Sequence, residues 1–524
     1  MSAVRNVLFI LCDQLRADHL GCYGHPYMAT RNIDALAARG VRFERAFVQS
    51  GVCGPSRMSM YTGRYVSSHG ATWNRVPLSV GEVTLGEYLN DAGLELSLSG
   101  KTHVMPDTAG LARFHLDDRD DGAAALGRLL SKGGFTEIDR HDGHHGERDS
   151  AYASYLRGRG YDSPDPWTDY VIAAIGADGG VVSGWNMRNA RFPARVAEAD
   201  SETAYTTDRA IDFIRERSDR PWVLHLSYVK PHWPYIAPAP YHARYTLDQC
   251  LPVNRDAREL VDPHPVLAAY RRQEECANFM RDEVWQAVRP AYQGLIQQVD
   301  DHLGRVWDVL DATGRLDDTL IIFSSDHGDF LGDHWLGEKE HFHDAVQRVP
   351  LIVVDPDAAA DATRGRAEPR FAEGIDLTPT ILDALGIAIA RERVEGASLL
   401  PITRGANPPK WREFVVSELD YGYREARRTL GRAPDACRAW MVRGDRWKYA
   451  HWQDFQPQLF DLESDARELR DLGADPGHEA IRRQMRDHLL SWFMGLKRRV
   501  TVTDASVEAG TAAHRRAGVH FGVW

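Results

Sequence analysis

Val7-Leu8-Phe9-Ile10-Leu11 is an unbroken apolar run that ends, after Cys12, in the polar pair Asp13-Gln14. A strand with one wet face alternates apolar and polar residues. A run without alternation predicts a strand buried on both faces, as in an open α/β sheet. Ligand sites in such sheets lie at the carboxyl ends of the strands, where Asp13 and Gln14 are delivered. Thr319-Leu-Ile-Ile-Phe-Ser-Ser has the same character and ends in Asp326-His327-Gly328-Asp329. Trp222-Val-Leu-His-Leu-Ser-Tyr runs into Lys230-Pro-His-Trp-Pro-Tyr235, and Val349-Pro-Leu-Ile-Val-Val predicts another buried strand. Between them, Tyr292, Leu295, Ile296, Val299, Leu303, Val306 and Leu310 recur at helical spacing, so Arg289 to Thr313 is expected to be a long amphipathic helix on the sheet. Asp376 to Gly386 predicts a capped helix with Pro379 in its first turn.

Beyond Gly386 the pattern changes. Glu413-Phe-Val-Val-Ser-Glu, Ala439-Trp-Met-Val-Arg and Trp447-Lys-Tyr-Ala-His-Trp are short alternating segments joined by turns such as Gly444-Asp445, the signature of an antiparallel sheet. Ile481 to Arg499 is then helical. The expected organisation is a catalytic α/β domain over residues 1–390, a small C-terminal α+β domain over 391–500, and a tail over 501–524. The tail is rich in Ala, Gly and Thr and is expected to dock on a neighbouring subunit of a homo-oligomer, a dimer or tetramer.

The chain has 524 residues, enough for one large domain and a smaller one, and a formal net charge of −12. That charge argues against nonspecific nucleic-acid binding. Six scattered cysteines without framework spacing imply reduced thiols and a cytoplasmic setting. The five-residue apolar run near the N-terminus is too short for a signal-peptide core or a membrane span.

Cys53-Gly-Pro-Ser-Arg-Met-Ser-Met-Tyr-Thr-Gly63 carries the most chemistry. A lone cysteine before a turn is usually a small buried hydrophobe. Here Cys53, Pro55, Ser56, Arg57, Thr62 and Gly63 together resemble the signature of type I sulfatases and phosphonate monoester hydrolases of the alkaline phosphatase superfamily. The resemblance extends from Asn6 to about Leu472. It implies an α/β fold with a large mixed central sheet sandwiched by helices and a smaller C-terminal antiparallel-sheet domain. It also implies that Cys53 becomes formylglycine, whose hydrate is the nucleophile, through a formylglycine-generating or other maturation enzyme.

The same resemblance implies one divalent metal ion held by Asp13, Gln14, Asp326, His327 and the residue derived from Cys53. Many sulfatases carry Asp-Asp and Asp-Asn at these strand ends and bind calcium. Gln14 and His327 depart from that pattern as phosphonate monoester hydrolases do, a likeness strongest from Gly294 to Pro350. An imidazole ligand tilts the choice towards manganese, with calcium the other candidate. Arg57 matches the arginine that stabilises the hydrate, and Lys101 and His103 match the Lys-x-His element that touches sulfate and the second hydroxyl. His232 and Lys339 match a histidine and a lysine that clasp the ester group and leaving oxygen. Asn74 matches a substrate-contacting asparagine of the phosphonate hydrolases. His334, His341 and His343 lack the spacing of a second metal site and are expected to be loop residues lining the cleft.

These features pair a phosphonate-hydrolase-like metal set with a sulfatase-like Lys101 and His103. The expected function is hydrolysis of sulfate monoesters, arylsulfatase-type, with promiscuous turnover of phosphonate monoesters and phosphodiesters. The alternative is a phosphonate monoester hydrolase or phosphodiesterase with incidental sulfatase activity. A noncatalytic binding protein would have lost some of these groups, whereas each position holds a competent residue. No nucleic-acid or membrane partner is expected.

Overall fold

The computed structural model describes residues 4–116, 122–143, 148–217, 219–519 and 522; the end of the predicted tail, including its last two residues, lies outside them. An eight-stranded sheet forms the centre. Its strands are β1 (Asn6–Asp13), β2 (Val41–Phe47), β3 (Leu96–Gly100) and β4 (Phe135–Arg140), followed after a small hairpin, β5 (Ala173–Ile175) and β6 (Val181–Ser183), by β7 (Val223–Pro231), β8 (Thr319–Ser325), β9 (Arg348–Val354) and β10 (Ala367–Glu373). The order across the sheet is β10-β2-β9-β8-β1-β7-β3-β4. β9 alone opposes its neighbours, pairing antiparallel with both β8 and β2.

The unbroken run of β1 is explained by what its two faces meet. Leu8, Ile10 and Cys12 enter one apolar cluster, and Val7, Phe9 and Leu11 the other, so the period-two alternation of a strand has no polar phase. The first cluster is closed by a long helix, the second by Leu377–Ala384. The long helix spans Asp282–Ala312 and so begins seven residues before the expected Arg289. Val284 and Val288 continue its buried face through Pro290; tertiary burial outweighs the missing backbone donor.

Beyond this sheet, β11 (Val415–Asp420), β12 (Arg438–Arg443), β13 (Trp447–Trp452) and β14 (Gln458–Asp461) form an antiparallel meander. The helix Glu479–Gly495 covers one face through Met485 and Leu489, two residues earlier than predicted at its start. The other face shares a buried cluster with the main lobe: Leu419, Met441 and Trp452 pack with Val52, Phe330 and Phe342.

Parallel pairing in register brings four strand ends side by side. Cys12 of β1 aligns with Ser325 of β8, Asp13 with Pro231 of β7, and Ser227 of β7 with Gly100 of β3. Because β9 runs backwards, the segment that enters it (residues 337–347) arrives at this same end of the sheet.

Candidate active site

Asp13 and Gln14 leave β1, Asp326 and His327 leave β8, Lys101 and His103 follow β3, and His232 follows β7. The backbone joins the first two ends directly: Asp326 N donates to Cys12 O at 3.2 Å, and Gln14 N donates to Asp326 Oδ1 at 3.0 Å. Cys53 begins the helix Cys53–Thr62, all of whose residues are buried. A helix N-terminus favours negative charge at its first residues. Asn74 Oδ1 accepts from Gly54 N at 2.7 Å. A Cβ on Gly54 would fall 2.8 Å from that oxygen, so a side chain there would push the Asn74 amide off this hydrogen bond.

One ligand atom each from Asp13, Cys53, Asp326 and His327 lies within 4.8 Å of the others, and all four residues are buried. Cys53 Sγ, which stands where the oxygen of a formylglycine would be, is 3.1 Å from His327 Nε2 and 3.7 Å from Asp13 Oδ1. His327 Nδ1 meets Gly328 O at 2.9 Å, which sets the tautomer and turns the Nε2 lone pair towards the cluster. Gln14 donates through Nε2 to Asp329 Oδ2 at 2.5 Å and to the Tyr235 hydroxyl at 3.2 Å. Its Oε1 is thereby left on the side of Lys339, whose Nζ donates to it at 3.3 Å. Two carboxylates, an amide oxygen and a neutral imidazole are a donor set suited to a divalent cation of borderline type.

Arg57 binds the two carboxylates together. It is fully buried, its Nε 2.7 Å from Asp326 Oδ2 and its Nη2 3.3 Å from Asp13 Oδ2. Its Nη1 donates to Lys101 O and Ser227 Oγ at 2.9 and 2.8 Å. The guanidinium thus grips the Asp13 and Asp326 carboxylates and their supports, four residues along the helix from Cys53. Lys101 Nζ lies 2.8 Å from Asp13 Oδ2. Burial would raise the Asp13 carboxyl, but the charges of Lys101, Arg57 and Lys339 outweigh it and hold it well below its ordinary value. Burial and the Asp13 charge push the Cys53 thiol up to about 11 against the lysines, so the unmodified residue is a thiol rather than a nucleophilic thiolate at neutral pH.

Lys339 Nζ donates to Cys53 Sγ and to His232 Nε2, both at 2.9 Å. His232 Nδ1 meets Trp233 O at 2.7 Å. Burial, with Lys339, holds His232 well below its ordinary value, which makes it a neutral imidazole accepting from the lysine. Its loop is braced by Lys230, whose Nζ is 3.2 Å from Glu202 and donates to the carbonyls of His232 and Pro234. The group opens into a cavity of ≈ 240 Å³ whose lining includes Cys53, Trp73, Asn74, His103, His232, Trp233, Glu338, Lys339 and Arg424.

All eleven residues named from the sequence therefore gather around this cavity and its floor. The three histidines do not line it. His334 and His343 stack at 4.0 Å in the core, His334 is bound by Glu259 and Asn254, and His341 lies edge-on to Tyr270 at 4.2 Å. Burial pushes His341 down to about 3, as for a neutral packed ring. Asp329 and Tyr235, which orient Gln14, were visible at the ends of the two strand motifs but carried no assigned role. Arg424 and Ser227 had no local signal.

Comparison with known proteins extends the likeness over the chain. The sulfatase family model matches residues 5–387, and that for the C-terminal region of N-sulphoglucosamine sulphohydrolase matches residues 332–493. The multifunctional alkaline phosphatase superfamily protein PehA of Trinickia caryophylli is 32% identical, over 93% of this chain and 95% of its own. An arylsulfatase of Clostridium perfringens is 28% identical, covering 89% and 90%. Among solved structures, the phosphonate monoester hydrolase of Silicibacter pomeroyi superposes with a TM-score of 0.83 at 30% identity, covering 96% and 98%.

Proposed function

We propose, from the premise that this chain belongs to the sulfatase family, that it hydrolyses sulfate monoesters of the aryl type and also turns over phosphonate monoesters and phosphodiesters. It is a hydrolase of ester bonds. The observation that carries the substrate reading is the charge around Cys53. Lys339 touches it and Lys101 lies on Asp13, beside one cluster of metal-ligating groups. A single-ion site with two lysines matches an ester of one negative charge better than a dianion.

Asp13, Gln14, Asp326 and His327 would hold the divalent ion, manganese or calcium, beside formylglycine made from Cys53. When bound, the ion would neutralise a nonbridging oxygen and acidify the aldehyde hydrate that serves as nucleophile. Arg57 pairs with both carboxylates and holds them at fixed separation. Lys101 and His103 would hold the charged ester group, Asn74 would contact it from the cavity wall, and Lys339 with neutral His232 would stabilise the departing oxygen. Cys53 is buried, which supports maturation before the chain closes over it. Six unpaired cysteines support a reducing, cytoplasmic setting. Among the described residues, no helix is long and apolar enough to cross a membrane. Leu490, Phe493 and Met494 form an exposed apolar strip on one helix, which supports a homo-oligomer.

Gln14 and His327 favour the second reading, a phosphonate monoester hydrolase or phosphodiesterase with incidental sulfatase activity, since both departures match that branch. The deciding measurement is kcat/KM for one aryl leaving group as sulfate, phosphonate, phosphodiester and phosphate monoester, on metal-defined enzyme at one pH. The sulfate is expected first and the phosphate monoester last. A phosphonate or diester in first place selects the second reading, and a phosphate monoester in first place refutes both.

A further inference from the structure

Lys339 is presented by a strained turn. Glu338 and Glu340, its neighbours on either side, have φ of 57° and 99°, left-handed values that side-chain-bearing residues hold only when their surroundings enforce them. The backbone fixes both ends of the turn: Phe330 N donates to Glu338 O at 2.7 Å, and Glu340 N donates to Gly51 O at 3.1 Å, two residues before Cys53. The two flanking carboxylates face one cation. Arg424 Nε lies 2.8 Å from Glu340 Oε1, and its Nη2 lies 4.0 Å from Glu338 Oε2. The guanidinium also sits 6.0 Å over the Trp73 ring and 3.5 Å from Glu275. Arg424 comes from the smaller-sheet lobe, just past β11, and lines the catalytic cavity.

A guanidinium is a planar fork that fixes the separation of two carboxylates in a way a single ammonium does not. Here the residue between those carboxylates is the one whose Nζ must stand 2.9 Å from both Cys53 and His232. We propose that Arg424 is a positioning residue for Lys339: it brackets Glu338 and Glu340, holds the strained turn, and lets the smaller lobe set where the lysine ammonium meets the leaving oxygen. This rests on the reading of Lys339 as the leaving-group residue.

The test is a double-mutant cycle on metal-loaded, formylglycine-containing enzyme: Arg424→Met, Lys339→Ala and the two combined, across aryl sulfates of rising leaving-group pKa. A small misplacement of a catalytic group costs up to about 10²-fold. Arg424→Met should therefore lower kcat by about 10- to 100-fold for poor leaving groups and much less for activated ones, with KM little changed. In the Lys339→Ala background it should change kcat by less than about twofold, because its effect passes through the lysine. Should Arg424→Met fail to fold, Glu340→Gln, which weakens the same bracket from the other side, carries the cycle. The same fold-loss in both backgrounds would overturn the proposal, as would a rise in KM at unchanged kcat. A uniform loss for Lys339→Ala across the series would instead refute its leaving-group role, leaving the coupling to decide the claim about Arg424.

Discussion

Replacing Arg57 with Met should expose what holds the carboxylates of Asp13 and Asp326 together. The methionine keeps an unbranched apolar stem and removes the guanidinium. Asp13 keeps Lys101 at 2.8 Å, whereas Asp326 keeps the neutral Gln14 N–H at 3.0 Å after losing the 2.7 Å pair to Arg57. The cost therefore falls mainly on Asp326. Breaking a buried pair from one side destabilises by about 3–5 kcal/mol, because a charge stays behind in a poor solvent. A divalent cation between the same carboxylates supplies the missing positive charge, so the deficit should shrink when metal is added. Urea unfolding of wild type and Arg57→Met, with chelator and with excess manganese or calcium, measures both quantities. Arg57→Met/Asp326→Asn should be less destabilised than the sum of its single variants, since no uncompensated charge remains. An equal deficit with and without metal, together with additive energies in the double variant, would refute the reasoning.

Cys53→Ala should fold normally and lose turnover by several orders of magnitude, while active wild type should be lighter than its sequence mass by about 18 Da, the difference between thiol and aldehyde; full activity at the unmodified mass would contradict the formylglycine reading. Lys339→Ala and His232→Ala should slow esters of high-pKa alcohols far more than activated aryl esters, and an equal loss across the series would assign both residues to holding the charged group. Acid stability follows from Asp13, whose folded pKa lies well below 3.8: the stabilisation is full above the unfolded value and is lost as pH falls through the folded one. Lys101→Met should thus be destabilising near neutral pH and converge on wild type in acid below 3.8; a gap that widened there would reverse the assigned sign.

What could be read in the chain was whatever a short segment carries on its own. The runs at Val7 and Thr319 lack alternation because each strand meets an apolar cluster on both faces, and continuity alone puts Asp13 and Asp326 at their ends. The Cys53 segment is local too, since Cys53 and Arg57 lie four residues apart on the helix that Cys53 begins. The boundaries that shifted did so where tertiary contacts outweighed local rules, as at Pro290, where Val284 and Val288 extend the buried face of a helix that propensity would have started later.

What could not be read was set by chain direction and by distance along the sequence. The pairing of Arg57 was of this kind: only the register of β1 against β8 shows that its guanidinium spans the carboxylates of both Asp13 and Asp326. His341 and His343 lie within four residues of Lys339, yet they turn into the core while the lysine faces Cys53. The lysine reaches the site because β9 runs against β8, which returns the chain to the strand ends that carry Asp326. Arg424 is further still from any motif, in a lobe whose sequence pattern speaks only of antiparallel strands. Its link to the site is a set of ion pairs between two lobes that share one apolar cluster. A fold can therefore be legible from its strands while the device that sets a catalytic distance is not, because that device is made where separate elements meet.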